Sequence, residues 1–331
     1  MKKLITIIVP AFNEEESLPS TIERLNKLAT SQPKYNFEFL FVNDGSRDKT
    51  AEILNDLATQ NGHVSVINFS RNFGKEIAVA AGIDHAQGDS IVMMDADGQE
   101  PPELIPEMIK WWEKGYDDVY ARRHVRADSR LRKFNSAAYY RTLQKMTRVP
   151  IQIDTGDFRL LDKKCIMALR QCHEVSRQNK ALFSWIGYKK KEITYDQKPR
   201  QVGETKWHFG FLSAGNSLFN LAIDGFTSFT TLPLRYITVA GLAALLIDFI
   251  YLVVVIIRAC LGLSQDAGFN TLLIIILLMG GIELIAMGIL GEYVGRTFNE
   301  AKHRPLYLIQ DMHQAKFESK ETKDGRDKAS K

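Results

Sequence analysis

Over the first 125 residues or so, short apolar runs alternate with longer segments whose apolar residues recur at helical spacing. The runs cover residues 4–9, 37–42, 64–69, 90–95 and, more weakly, 117–121. The segments between them, 17–29, 50–60, 76–86 and 102–114, are each long enough for a helix. Strand and helix in alternation predict an α/β fold: a mostly parallel sheet with helices on both faces and ligands at the carboxyl ends of the strands. A dinucleotide-binding fold would place glycines just after the first strand. Here the chain reads Val9-Pro10-Ala11-Phe12-Asn13-Glu14, without one, which argues against that fold.

The pattern changes past residue 206. Within 207–226, Phe211, Leu212, Leu218, Phe219, Ala222 and Phe226 share one helical face, opposite Ser213, Asn216, Asn220 and Asp224. A core helix and a helix lying in a membrane interface both carry that pattern. The following runs favour the interface. Residues 236–257 are apolar except for Asp248, and 271–290 except for Glu283. Each run is about 20 residues, enough for a helix to cross the ~30 Å hydrocarbon layer. The connection 258–270 is nearly uncharged, whereas basic residues gather before the first run and after the second (Arg296, Lys302, Arg304), which places both ends on the cytoplasmic side. The expected organisation is a cytoplasmic α/β domain over 1–206 and an interfacial amphipathic region over 207–231. A transmembrane hairpin follows over 232–296, with spans at about 236–257 and 271–292, and then a polar cytoplasmic tail over 297–331. Asp248 and Glu283 would lie inside the bilayer, where charge is costly, so hydrogen bonding across the hairpin or between subunits is expected of them.

Composition narrows the partners. A formal charge of +4 on 331 residues is too weak to argue for nucleic acid and suits a membrane surface or a phosphorylated ligand. Three cysteines form no disulfide framework and point to a reducing compartment. Cys172-His173, even with Cys165 nearby, falls short of the four ligands of a structural zinc site. The apolar run at the start is too short for a signal peptide, and Pro10 and Glu14-Glu15-Glu16 follow it too soon.

The strongest candidate chemistry is Asp95-Ala96-Asp97-Gly98-Gln99, directly after an apolar strand. Residues i and i+2 of an extended segment point the same way, so Asp95 and Asp97 can face one ligand. Two such carboxylates suit Mg²⁺ or Mn²⁺ bridging to a diphosphate. Asn43-Asp44-Gly45-Ser46 closes the second strand similarly, with Asp44 either capping a turn or accepting hydrogen bonds from a base or ribose. Residues 122–148 are rich in Arg and Lys; most fit a solvated helix face, while Arg122, just past a strand end, is placed to meet phosphate.

Together with Ser70-Arg71-Asn72-Phe73-Gly74-Lys75, these segments resemble, in order, the signatures of family 2 glycosyltransferases of GT-A fold. Asp154-Thr155-Gly156-Asp157-Phe158-Arg159-Leu160, Arg200-Gln201-Val202-Gly203-Glu204-Thr205-Lys206-Trp207 and Gly291-Glu292-Tyr293-Val294-Gly295-Arg296 resemble the subgroup acting on polyprenyl phosphates. Gly98 stands where many relatives carry Leu, and the Gln-x-x-Arg-Trp motif of the processive synthases is missing. The resemblance implies that Pro10, Glu14 and Asp44 line the nucleotide pocket and that Asp95 and Asp97 hold the diphosphate through the metal, with Gln99 retained beside them. It places Asp157 at the sugar and acceptor side, Arg200 and Lys206 near the phosphates, and Arg122 as a further phosphate contact. The implied reaction moves a sugar from a nucleotide donor onto polyprenyl (undecaprenyl) phosphate with inversion at the cytoplasmic membrane. UDP-glucose is the first choice of donor, with UDP-N-acetylglucosamine and GDP-mannose open, and a homotetramer is a family-level expectation. The rival readings are a processive polysaccharide synthase, a non-catalytic lipid-binding scaffold, and a soluble nucleotide-binding enzyme with a buried helical hairpin, which the length of the two apolar runs argues against.

Overall fold

The computed structural model describes residues 2–123, 155–175, 177–196, 232–261, 268–315 and 317. Arg200, Lys206 and the amphipathic region 207–231 lie outside the described residues. The strands are β1 (Leu4–Ala11), β2 (Asn36–Asn43), β3 (Val64–Phe69), β4 (Ser90–Met93), β5 (Asp118–Arg123), β6 (Thr155–Asp162), β7 (Lys190–Tyr195) and β8 (Ile309–His313). They form one sheet in the order β7-β5-β6-β4-β1-β2-β3-β8. β1 pairs in parallel with β2 and β4, β2 with β3, and β5 with β7, while β6 and β8 run antiparallel to their neighbours.

Helices α1 (Leu18–Ser31), α2 (Thr50–Gln60) and α4 (Ile105–Glu113) cover one face; α3 (Lys75–His85), α5 (Lys163–Leu169) and α6 (Asn179–Trp185) cover the other. The two-residue period of a strand assigns the side chains. Ile5, Ile7, Val9, Phe37, Phe39 and Phe41 join Leu25, Leu54 and Ile109 in one core. Ile8, Leu40 and Val42 join Val79, Ile83, Ile166 and Phe183 in the other. Burial on both faces explains why β1 and β2 read as unbroken apolar runs. α3 approaches β1 so closely that a methyl on Gly82 would collide with the Ile8 side chain. The predicted helix 102–114 divides into a 3-10 turn (Pro102–Leu104) and α4, with Pro106 in the first turn of α4, where its missing N–H costs nothing.

Past the sheet's central strands the chain forms two long helices, α7 (Leu232–Cys260) and α8 (Gly268–Ala301), which touch one another. Their large apolar side chains are bare, with Ile247 65% and Leu284 72% exposed. Among the described residues one stretch, Leu278–Ala301, is by length and composition enough to cross a membrane; the apolar part of α7, Tyr236–Tyr251, is shorter. The chain then returns to the sheet. The Ser70 N–H donates to Leu308 O at 3.0 Å, and Tyr307 stacks on Phe69 with ring centroids 5.2 Å apart. Asn68 Nδ2 donates to Asp311 at 2.6 Å and the Ala315 N–H to Ser65 Oγ at 3.0 Å. Part of the expected polar tail is thus an edge strand.

Candidate active site

The carboxyl ends of β1, β2 and β4 and the first turn of α3 surround a cavity of about 530 Å³. Its walls include Pro10, Phe12, Glu14, Asp44, Lys75, Asp95, Asp97 and Gln99. Six of the residues expected from the sequence, Pro10, Glu14, Asp44, Asp95, Asp97 and Gln99, therefore meet around one space. Two loops build the first wall. Asn13, at φ 53, donates its N–H to Ser46 Oγ (2.9 Å) and accepts the Arg47 N–H on its side-chain oxygen (2.8 Å). The Glu14 N–H donates to Thr50 Oγ1 at 2.8 Å, and the Glu14 carboxylate accepts from Ser17 Oγ at 2.6 Å.

The turn after β2 is capped by Asn43, whose side-chain oxygen accepts the Ser46 N–H at 3.1 Å. Asp44 is thereby left to a different task. Only 3% exposed, it accepts the backbone N–H groups of Phe73 (2.7 Å) and Gly74 (3.0 Å). Burial pushes its carboxyl above the usual range, and those two amides pull against the shift. Gly45 is at φ +66, with the Arg71–Asn72 backbone packed where a Cβ would sit, so only glycine lets the loops approach this closely.

The second wall is the Asp95–Gln99 turn. It is tied to α1 by Thr21 Oγ1, which donates to Ala96 O (3.0 Å), and by Arg24 Nη1, which donates to Gly98 O (3.2 Å). Asp97 Oδ1 accepts the Gln99 N–H at 3.1 Å, closing the turn. Asp95 is met by the Lys75 ammonium at 2.7 and 2.8 Å, and the same ammonium lies 3.2 Å from Asp157 at the start of β6. Burial disfavours the charge on Lys75, but the two carboxylates outweigh it and hold the pKa above the ordinary lysine value.

Glu100 lies behind this wall, 1% exposed, with one oxygen accepting the Asp95 N–H at 2.8 Å. Its other oxygen has no hydrogen-bond partner among the described residues. Burial first, and then the Asp95 charge, hold its carboxyl well above the usual range. Arg122 is not on the cavity wall; it reaches Glu192 on β7 at 3.4 Å. Arg123, on the opposite side of β5, packs with Glu100 around Gly156. Burial works against its charge, but Tyr195, Glu100 and Asp95 outweigh it and raise its pKa. The motifs gave no individual role to Lys75, the last residue of the Ser70–Lys75 segment, or to Glu100, and Arg123 stood only among the early basic residues past a strand end. The faint signals were Lys75 directly after a glycine at a helix start and Glu100 directly after the Asp-x-Asp turn.

Among the described residues no three His, Cys, Asp or Glu side chains cluster as a metal cage. Asp95 and Asp97 nonetheless line the same cavity as hard oxygen donors. That set fits Mg²⁺ or Mn²⁺, which use one or two carboxylates and complete their shell with diphosphate oxygens and water.

A mostly parallel sheet in this order, opening at its carboxyl edge onto an acidic cavity with an Asp-x-Asp turn, is the frame of a GT-A glycosyltransferase. The profile of glycosyl transferase family 2 matches residues 6–170, and the chain belongs to that family. It is 41% identical over 310 residues to an uncharacterized glycosyltransferase of Synechocystis, covering 93% of this chain and 95% of that protein. It is 38% identical over 311 residues to the bactoprenol glucosyl transferase of Shigella phage SfV, covering 94% and 99%. Among solved structures it is similar to a mannosyltransferase from Pyrobaculum calidifontis in complex with GDP-Man and Mn²⁺. The TM-score is 0.43 and the identity 17%, over 69% of this chain and 64% of that one.

Proposed function

We propose that this glycosyltransferase moves a hexose, glucose from UDP-glucose as first choice, onto undecaprenyl or another polyprenyl phosphate, with inversion, at the cytoplasmic face of the membrane. The observation that carries the reading is the continuity of the apolar stretch Leu278–Ala301 with the catalytic sheet, which the chain rejoins at β8 a few residues later. A lipid acceptor cannot bring its phosphate far from the bilayer, so a sheet held there by its own chain suits it. The bactoprenol glucosyl transferase of phage SfV, matched over 99% of its length, supports the same acceptor. In this reading α7 and α8 form a two-span hairpin with both ends cytoplasmic, 207–231 lies in the interface, and the chain assembles as a homotetramer.

An acceptor phosphate has its second pKa near ~6 and is already largely a dianion at neutral pH, so it needs little base catalysis. It needs alignment and relief of repulsion from the donor diphosphate. Pro10, Glu14 and Asp44 hold the nucleoside end. Asp95 and Asp97, with Gln99 beside them, would hold Mg²⁺ or Mn²⁺, which would neutralise the diphosphate and stabilise the departing nucleotide. Asp157 orients the sugar or acceptor. Arg200 and Lys206 supply positive charge along the phosphates; Arg122, paired with Glu192 off the cavity wall, is not assigned this role. In-line attack by the acceptor oxygen inverts the anomeric carbon, giving a β-linked sugar phosphate lipid from an α-linked donor.

The test uses membranes containing the protein, Mg²⁺, undecaprenyl phosphate and labelled UDP-glucose, UDP-N-acetylglucosamine or GDP-mannose. Label is expected in an acid-labile, organic-extractable lipid, lost with Asp97→Asn. Label from a donor other than UDP-glucose would correct the sugar. Donor binding without lipid-linked label from any donor would favour a non-catalytic lipid-binding scaffold.

A further inference from the structure

Among the described residues that line it, the cavity carries four carboxylates, Glu14, Asp44, Asp95 and Asp97, and one cation, Lys75. A diphosphate entering this space adds further negative charge, so the disposition of that cation matters. The Lys75 ammonium meets both oxygens of Asp95 at 2.7 and 2.8 Å and Asp157 at 3.2 Å. Asp95 is one of the two carboxylates suited to a divalent metal, and a metal there would stand within a few ångströms of the ammonium. Like charges so close in a partly buried site repel strongly.

Resting on the proposed use of Asp95 and Asp97 for metal-assisted diphosphate binding, we infer that Lys75 is a built-in counter-cation that holds Asp95 before loading and releases it as metal and donor enter. Its four-carbon stem allows the move without a backbone change. The ammonium stays with Asp157, so an incoming acceptor phosphate meets a neutral pair in place of a bare carboxylate. The backbone ahead of Lys75 is tied to the nucleoside end of the cavity, because Asp44 grips the N–H groups of Phe73 and Gly74. Nucleotide and metal binding are therefore coupled through this segment, and the coupling is reciprocal. Lys75 acts as a positioning residue.

The test measures Mn²⁺ binding to the full-length protein in detergent, by the electron paramagnetic resonance of free Mn²⁺, with and without UDP. Wild type is expected to bind Mn²⁺ weakly alone and about tenfold or more tightly with UDP. Lys75→Met is expected to bind Mn²⁺ without UDP about tenfold more tightly than wild type, with reduced kcat in the lipid assay. Lys75→Arg keeps the charge and should keep the wild-type affinity for Mn²⁺ alone. If Lys75→Met does not fold, Lys75→Gln is held to the same expectation. An uncharged variant with wild-type Mn²⁺ affinity in the absence of UDP overturns the role of Lys75 alone. No Mn²⁺ binding by any protein even with UDP overturns this inference together with the metal-assisted reading beneath it.

Discussion

Arg159 shows how far a single side chain can contradict its own strand. It lies in the middle of β6, fully buried, with Nη1 3.2 Å from the equally buried Asp118 and its guanidinium 4.3 Å from the Phe183 ring centroid. Burial raises the Asp118 carboxyl above the usual range, and the Arg159 charge opposes that shift. Removing one partner strands the other charge in the core, so Asp118→Ala is expected to cost about 3–5 kcal/mol of stability, read by urea unfolding. The exposed pair Lys34–Glu113 sets the contrast: Glu113→Ala should cost no more than about 1 kcal/mol in the same measurement. The arginine also explains why β6 did not stand out in the sequence, since a charge in mid-strand breaks the apolar run by which the central strands announce themselves. At the site the same logic holds. Asp95 and Asp97 are legible because two carboxylates two residues apart at a strand's end can face one space, whereas the surroundings of Glu100 and Arg123 come only from the neighbours that folding gives them.

Among the elements, β1 to β3 and helices α1 to α3 lie where the hydrophobic pattern places them, within a residue or two. β8 does not, because it is a short polar strand on the sheet's edge, and its place depends on partners more than two hundred residues earlier. Its docking can be followed through His85, in the last turn of α3, whose ring faces Tyr307 (centroids 6.2 Å apart) with Asp84 and Arg170 also nearby. Burial is the main cause that lowers its pKa below 6.5; Asp84 opposes the shift and Arg170 adds to it. With the folded value depressed, the unfolded chain takes up the proton first as pH falls. The stability His85 contributes is therefore present above pH 6.5 and lost as pH drops through the folded value. Thermal unfolding followed from pH 7.5 down to about 5 should show that loss, and His85→Gln should flatten it. An unchanged pH profile in the variant would mean that other groups set the slope.

For the whole molecule, the question is what the exposed apolar surface of α7 and α8 meets. Ile247, Phe249, Leu284, Ile285 and Met287 are all more than half exposed, a surface no soluble monomer leaves bare over two long helices. If the proposed two-span hairpin is right, the protein should remain in the membrane pellet after alkaline carbonate washing and leave it only with detergent. Release by carbonate alone would place the helices on the surface of the bilayer or against another protein. The hydrogen bond from the Val175 N–H to Glu300 Oε1 (2.8 Å) and the return strand β8 tie the end of α8 to the catalytic unit at two points. The sheet is thereby held by the helix and not merely tethered to it.

The apolar pattern by itself determined the parallel centre of the sheet, the order of the early helices and the two long apolar runs, because burial on both faces or a lipid surround demands continuous apolar sequence. Motif spacing likewise picked out Asp95 and Asp97, which the fold brings to the cavity wall. Only the tertiary structure decided that Asp44 braces the Phe73–Gly74 segment, that Lys75 joins Asp95 to Asp157, and that the chain after α8 closes the sheet beside β3. Those features consist of pairings between residues distant in sequence, and a polar residue's partner is set by the fold that brings it near, not by its neighbours along the chain.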